Sequence, residues 1–88
     1  MNLLEGKIIF LTGGSKGIGL ECAKKYIEAG ASVAIVSNDA ASLIDSVDLL
    51  GANSTGILCD VSNGIDVAAA VKKALDLYGR IDGTVVVP

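Results

Sequence analysis

Histidine is missing from this 88-residue chain, and cysteine occurs only at Cys22 and Cys59. Without imidazoles, and with two thiols far apart in sequence, neither a metal site nor a disulfide framework is expected. Two plain thiols with no leader segment suit a reducing, cytoplasmic compartment. Positive charge is also scarce. Seven Lys and Arg stand against ten Asp and Glu, for a net charge of −3. With no basic cluster, nucleic acid and anionic membranes are poor partners. No apolar run reaches the roughly 18 residues of a membrane span. The opening MNLLEGK has no basic stretch feeding an apolar one, so no signal peptide is read. Repeats, linkers and low-complexity segments are lacking as well.

What is there is a globular composition, 51% hydrophobic and 19% charged, enough for one small domain over residues 1–88. KIIFLTG (residues 7–13) is a short apolar run rich in β-branched residues, which reads as a strand buried on both faces. Residues 17–29 follow with Ile18, Cys22, Ala23, Tyr26 and Ile27 on one side and charges on the other. That is an amphipathic helix, closed by Gly30. ASVAIVS (residues 31–37) is a second strand. A second helix spans 40–50 on the face Ala40, Leu43, Ile44, Val47 and Leu50, with Asn38 or Asp39 to cap it and Gly51 after it. STGILCDV (residues 54–61) is a third strand. Ser62 or Asn63 then caps a longer helix with Val67, Ala68, Val71, Ala74, Leu75 and Tyr78 on one stripe, ending at Gly79. GTVVVP (residues 83–88) is a fourth strand.

Strands alternating with helices imply an α/β fold with a parallel sheet and right-handed crossovers. The expected architecture is a partial Rossmann, doubly wound sheet of four strands in the order 3-2-1-4 with three crossover helices. A ligand then belongs outside the carboxyl ends of the strands, at the switch point between strands one and four. FLTGGSKGIG (residues 10–19) lies there. Gly13 lets the strand turn, Gly17 leaves room for the backbone to approach a bulky anion, and Gly19 lets the helix pack close to the sheet. The helix start offers unpaired N–H groups and partial positive charge, which a diphosphate satisfies. Ser15 adds a hydroxyl, Lys16 a cation, and Ile18 belongs to the same turn. The spacing is G-x3-G-x-G rather than G-x-G-x-x-G.

With these residues in place the chain resembles the short-chain dehydrogenase/reductase family. TGGSKGIG matches that family's T-G-x-x-x-G-x-G loop, CDVS (residues 59–62) its Asp-Val pair after strand three, and YGRIDGTVVV its approach to strand four. The resemblance implies an NAD(P)-dependent oxidoreductase. It assigns the Asp60 carboxylate to the adenine amino group and the Val61 backbone to the adenine pocket. It also places the choice of cofactor near Ser37. A carboxylate there would accept a ribose 2′-hydroxyl, and Ser37 is neutral. Lys16 reaches toward the same place, and Ser37 and Asn38 donate to it, so the lean is to NADP over NAD. Asp39 argues the other way unless it is only a helix cap.

The family's chemistry uses a Tyr-x3-Lys pair with a serine upstream. The tyrosines here are Tyr26 and Tyr78, followed four positions later by Gly30 and Asp82. No catalytic residue is therefore assigned. Where the resemblance implies Asn-Asn-Ala, the chain has Val86, Val87 and Pro88. The expectation is the amino-terminal, dinucleotide-binding part of such an enzyme, with the catalytic half absent. A non-catalytic nucleotide-binding module, or a truncated product that needs a partner chain to complete its sheet, is the other reading. Either way Val85–Val87 form an uncharged outer edge open to self-association, which Pro88 protects little. Cys22 and Cys59 read as small apolar fillers.

Overall fold

The computed structural model describes residues 3–13 and 15–87. Strands β1 (Ile8–Thr12), β2 (Ser32–Ser37), β3 (Ser54–Leu58) and β4 (Gly83–Val86) alternate with helices α1 (Gly17–Glu28), α2 (Ala40–Leu50) and α3 (Gly64–Tyr78). The sheet is parallel throughout, in the order β3-β2-β1-β4. This is the expected partial Rossmann arrangement.

The two central strands are apolar at successive positions because both faces of the sheet are covered. Ile9 and Leu11 of β1 and Val33 and Ile35 of β2 meet Ala23 of α1 and Leu43 of α2. Phe10, Ala34 and Val36 point the opposite way, onto Ala70 and Ala74 of α3. Two small cores therefore sandwich one sheet. The start of β4 is fixed to the start of β1 by Asp82. Its carboxylate accepts the Ile8 N–H at 2.8 Å and the Arg80 Nε–H at 2.9 Å. Arg80 Nη2 also donates to the Gly6 carbonyl at 2.6 Å. The Ile8 N–H first, and the Arg80 guanidinium second, hold the Asp82 carboxyl below the usual carboxylate range.

Several details differ from the sequence reading. β3 ends at Leu58, not Val61. Cys59 N–H makes the last bond toward β2, to the Ser37 carbonyl at 2.8 Å, and Asp60 to Ser62 then turn. β4 ends at Val86, and Pro88 lies outside the described residues. Ile18 is 75% exposed although it falls on the apolar side of α1. It sits in the first turn, beyond the cover of the sheet. Ile44 likewise faces outward, and Leu75 is partly exposed, because the contact stripes of α2 and α3 centre on Leu43 and Ser46 and on Ala70 and Ala74. Cys59 is buried while Cys22 is only half-buried. Val85 and Val87 are half-buried, but Val86 is 74% exposed. Among the described residues no helix is long and apolar enough to cross a membrane.

Candidate functional site

The carboxyl ends of the strands converge on a cleft in two connected parts. The larger part, about 650 Å³, is walled by Phe10 and Val36 from the sheet, Val67 and Val71 from α3, and Ile81. Gly13, Ser37, Asn38 and Val61 form its rim. The second part, about 600 Å³, is lined by Ser15, Lys16, Gly17 and Ile18. Gly13, Ser37 and Val87 line both parts. One half is thus an apolar slot suited to a flat ring, and the other is a backbone-rich cradle beside a helix start.

Gly13 is required by its surroundings. Its φ is +77°, and a Cβ there would sit 2.6 Å from the Val87 carbonyl oxygen. The chain leaves β1 by this turn, and Gly13 N–H still reaches the Val36 carbonyl at 3.0 Å. Gly17 also has positive φ, +61°, and among the described residues beyond its chain neighbours nothing lies within 4 Å of where its Cβ would be. That open space faces the first turn of α1. The N-cap of α1 is Lys16, whose side chain makes no cap bond, and the first turn holds no acidic residue. The first ladder bond is Leu20 N–H to the Lys16 carbonyl. The N–H groups of residues 17 to 19 are those that a helix leaves without an internal partner.

The polar side chains around this helix start are tied to α2. Lys16 Nζ lies 3.2 Å from Asp39 Oδ2. Asp39 is also the N-cap of α2, accepting the Ser42 N–H at 3.2 Å. The Ser42 N–H first, and Lys16 after it, hold the Asp39 carboxyl below the usual range. Ser15 is buried, and its hydroxyl lies 3.1 Å from that of Ser42. Asp39 N–H donates to Ser37 Oγ at 3.1 Å.

The start of α3 is organised differently. Asn63 Oδ1 accepts the N–H groups of Ile65 and Asp66 at 2.9 and 3.3 Å. Asp60 Oδ1 accepts both the hydroxyl and the N–H of Ser62, at 2.6 and 3.0 Å. These bonds, the hydroxyl's first, hold the Asp60 carboxyl low. Burial raises the pKa of the neighbouring Cys59 thiol, with the charges of Asp66 and Asp60 adding to it.

Of the ten residues expected in a binding site, Gly13, Ser15, Lys16, Gly17, Ile18, Ser37, Asn38 and Val61 line the cleft. Asp60 is an exposed neighbour at its edge, and Gly19 is on the buried face of α1. The sequence reading gave Val67 and Val71 to the core stripe of α3. They are also a wall of the slot, and their position toward the N-terminal half of α3 was the available signal. Among the described residues no group of three His, Cys, Asp or Glu side chains is placed to hold a metal ion.

The short chain dehydrogenase family model matches residues 7–87. Secoisolariciresinol dehydrogenase of Forsythia intermedia is 41% identical over 80 residues, covering 90% of this chain and 29% of the relative. Cis-3,4-dihydrophenanthrene-3,4-diol dehydrogenase of Alcaligenes faecalis is 35% identical over 82 residues, covering 93% of this chain and 30% of the relative. The crystal structure of 3-ketoacyl-(acyl-carrier-protein) reductase from Brucella melitensis, complexed with NADH, superimposes with a TM-score of 0.89 at 36% identity. That match covers 92% of this chain and 33% of the reductase. The chain therefore spans about a third of the length of the proteins it matches.

Proposed function

The chain belongs to the short chain dehydrogenase family, and from that premise we propose that it supplies the dinucleotide-binding part of an NAD(P)-dependent oxidoreductase. The observation that carries this reading is the uncapped start of α1, opening onto the space beside Gly17 and next to an apolar slot. The N–H groups of residues 17 to 19 would hold the diphosphate, with Ser15 and Lys16 at its sides. The slot between Val36 and Val67 would take the adenine, with Asp60 and Val61 at its edge. When bound, the nicotinamide carries the hydride. This chain's residues bind and orient the group that does so. They do not supply an acid–base pair. Tyr26 lies on α1, and the Tyr78 hydroxyl is 2.7 Å from that of Thr55, at the β3 side of α3.

Between the two cofactors the reading is NADP. Ser37 carries no charge, and Lys16, Ser37 and Asn38, which line the cleft, would offer donors to a 2′-phosphate. Asp39 tempers that preference because it already holds Lys16. Free thiols at Cys22 and Cys59 agree with a reducing, cytoplasmic setting. Calorimetric titration with NADP and NAD tests the proposal, together with a turnover panel of alcohols and carbonyls. Binding of a dinucleotide, tighter for NADP, without turnover by the 88-residue chain is the expected result. Absence of binding overturns the reading.

The exposed edge of β4 favours a second reading, a module that needs another chain to complete its sheet. Val86 is 74% exposed, and β4 pairs only with β1 among the described residues. An uncharged apolar edge of this kind recruits other strands. Light scattering of the 88-residue chain should show mass rising with concentration, and Val86→Lys should suppress the rise. A monomer at all concentrations counts against it.

A further inference from the structure

β3 forms the edge of the sheet opposite to β4. Val33 N–H reaches the Asn53 carbonyl, and Cys59 N–H reaches the Ser37 carbonyl, so the odd-numbered residues of this strand bond to β2. The residues between them then face outward. The N–H and C=O groups of Gly56 and Leu58 form an open edge, with no partner among the described residues. β3 carries neither a charge nor a proline, the usual guards of such an edge. It lies along a groove of about 440 Å³, walled by Ile44, Val47 and Asp48 of α2 and by Lys73 of α3. Ile44 and Leu58 are each 64% exposed beside it. Side chains alternate along a strand. A Cβ on Gly56 would meet Leu43 and Val47, so Gly56 and Leu58 face α2, while Thr55 and Ile57 face α3. One wall is thus aliphatic and acidic, and the other basic. Neither Asp48 nor Lys73 is ion-paired among the described residues.

These features select an occupant. A helix laid in the groove would cover Ile44 and Leu58 but leave the backbone groups of Gly56 and Leu58 unmet. An extended chain meets both needs. A second copy, pairing its own β3 antiparallel about a twofold axis, would set α2 against α2 and α3 against α3. α2 holds Asp45 and Asp48 and no basic residue, so that arrangement opposes like charges, as it does at Lys73. We propose that the β3 edge docks an extended segment of another protein, one that turns aliphatic and basic side chains toward α2 and an acidic one toward α3. The exposed charges add little affinity and fix which way the segment faces. This proposal goes beyond the dinucleotide reading and does not depend on it.

The probe is the peptide acetyl-Thr-Val-Glu-Lys-Thr-Val-amide, whose valines and lysine share one side while its glutamate lies on the other. It is compared with the form in which Glu and Lys are exchanged, by following backbone amide resonances of the 88-residue chain. Gly56 and Leu58 should shift and saturate, and the exchanged peptide should bind about 5-fold more weakly, for two exposed ion pairs. The double variant Asp48→Lys with Lys73→Glu should reverse that preference. Both positions are exposed, and a thermal melt checks the fold. Of two peptides N-methylated at alternate residues, one should bind as the parent does and the other should not, because an added strand pairs through one edge only. Equal binding by both methylated forms, an unreversed preference in the double variant, or shifts at Gly83 to Val86 without shifts at Gly56 overturns the proposal. So does the absence of any saturable shift. Movement of Gly56 and Leu58 with protein concentration alone overturns it in favour of a second copy.

Discussion

At the start of α3, Asn63 turns its side-chain oxygen onto the N–H groups of Ile65 and Asp66, and Asp66 adds a negative charge to the first turn. At the start of α1, Lys16 offers no acceptor, and the first turn has no carboxylate. The helices lie on opposite faces of one sheet, and both begin beside the same cleft. The α3 start has met its own demand for an acceptor and has little left for an anion. The α1 start lacks the side-chain cap that stabilises a helix by about 1 kcal/mol, and in the proposed function its N–H groups meet the diphosphate. A helix start without a side-chain cap keeps N–H groups that an anion can satisfy. α2 sides with α3, since Asp39 caps it through Ser42.

The comparison breaks most severely at Gly17. Gly17→Val puts a side chain into the open space at the start of α1 and should weaken dinucleotide binding about 100-fold, the loss of two charge-assisted contacts. Its positive φ adds strain of about 1–2 kcal/mol, so a control is needed. Gly79→Val imposes left-handed strain at φ +82°, also in open space, at the far end of α3. It should destabilise the fold and leave affinity intact. Calorimetry on both variants separates strain from blockage.

Exchanging caps has a smaller effect of opposite sign at the two helices. Asn63→Ala should cost about 1 kcal/mol of stability without weakening diphosphate binding. Lys16→Ser, measured against Lys16→Ala, gives α1 a cap. It should raise the melting temperature and weaken dinucleotide binding. Denaturant melts and titrations of the three variants check this. A Lys16→Ser variant that binds better than Lys16→Ala would contradict the idea that cap and ligand compete.

The smallest effect is on acid sensitivity. Asp39 has a lowered carboxyl pKa because of Ser42 and Lys16. A group depressed in the folded state stabilises it above its unfolded pKa. That contribution is lost as pH falls through the folded value. Stability should therefore drop below about pH 4, and Asp39→Asn, which retains a capping oxygen, should make the drop shallower. Melts between about pH 7 and pH 3 would show it. The α1 start, having no carboxylate, contributes no such slope.

The element types were legible because they rest on local patterns, and the strand order followed from their alternation and the doubly wound architecture it implies. Continuous apolar runs gave the strands, glycines and capping residues the ends, and Gly13, Gly17 and Gly19 the junction. The side chains that brace the junction were harder to find. Lys16 meets Asp39 across 23 positions of sequence, and Ser15 meets Ser42 across 27. Only the pairing of β1 with β2 brings them together, and no spacing rule announces it. Asp39 read as either a cap or a charge near the cofactor, and the structure makes it both a cap and the partner of Lys16. The burial of α3 was shifted for a related reason. Alanines at 70 and 74 let the helix come close to Phe10 and Val36, so the larger Leu75 stays partly exposed.

The most direct test of the account uses inorganic diphosphate, which has neither ring nor ribose, and follows backbone amide resonances as it is added. The amides of Gly17, Ile18 and Gly19 should move together and saturate, while those of Ile65 and Asp66, already held by Asn63, stay in place. Equal movement at both helix starts, or movement at α3 alone, would contradict the claim that the uncapped start of α1 is the anion site.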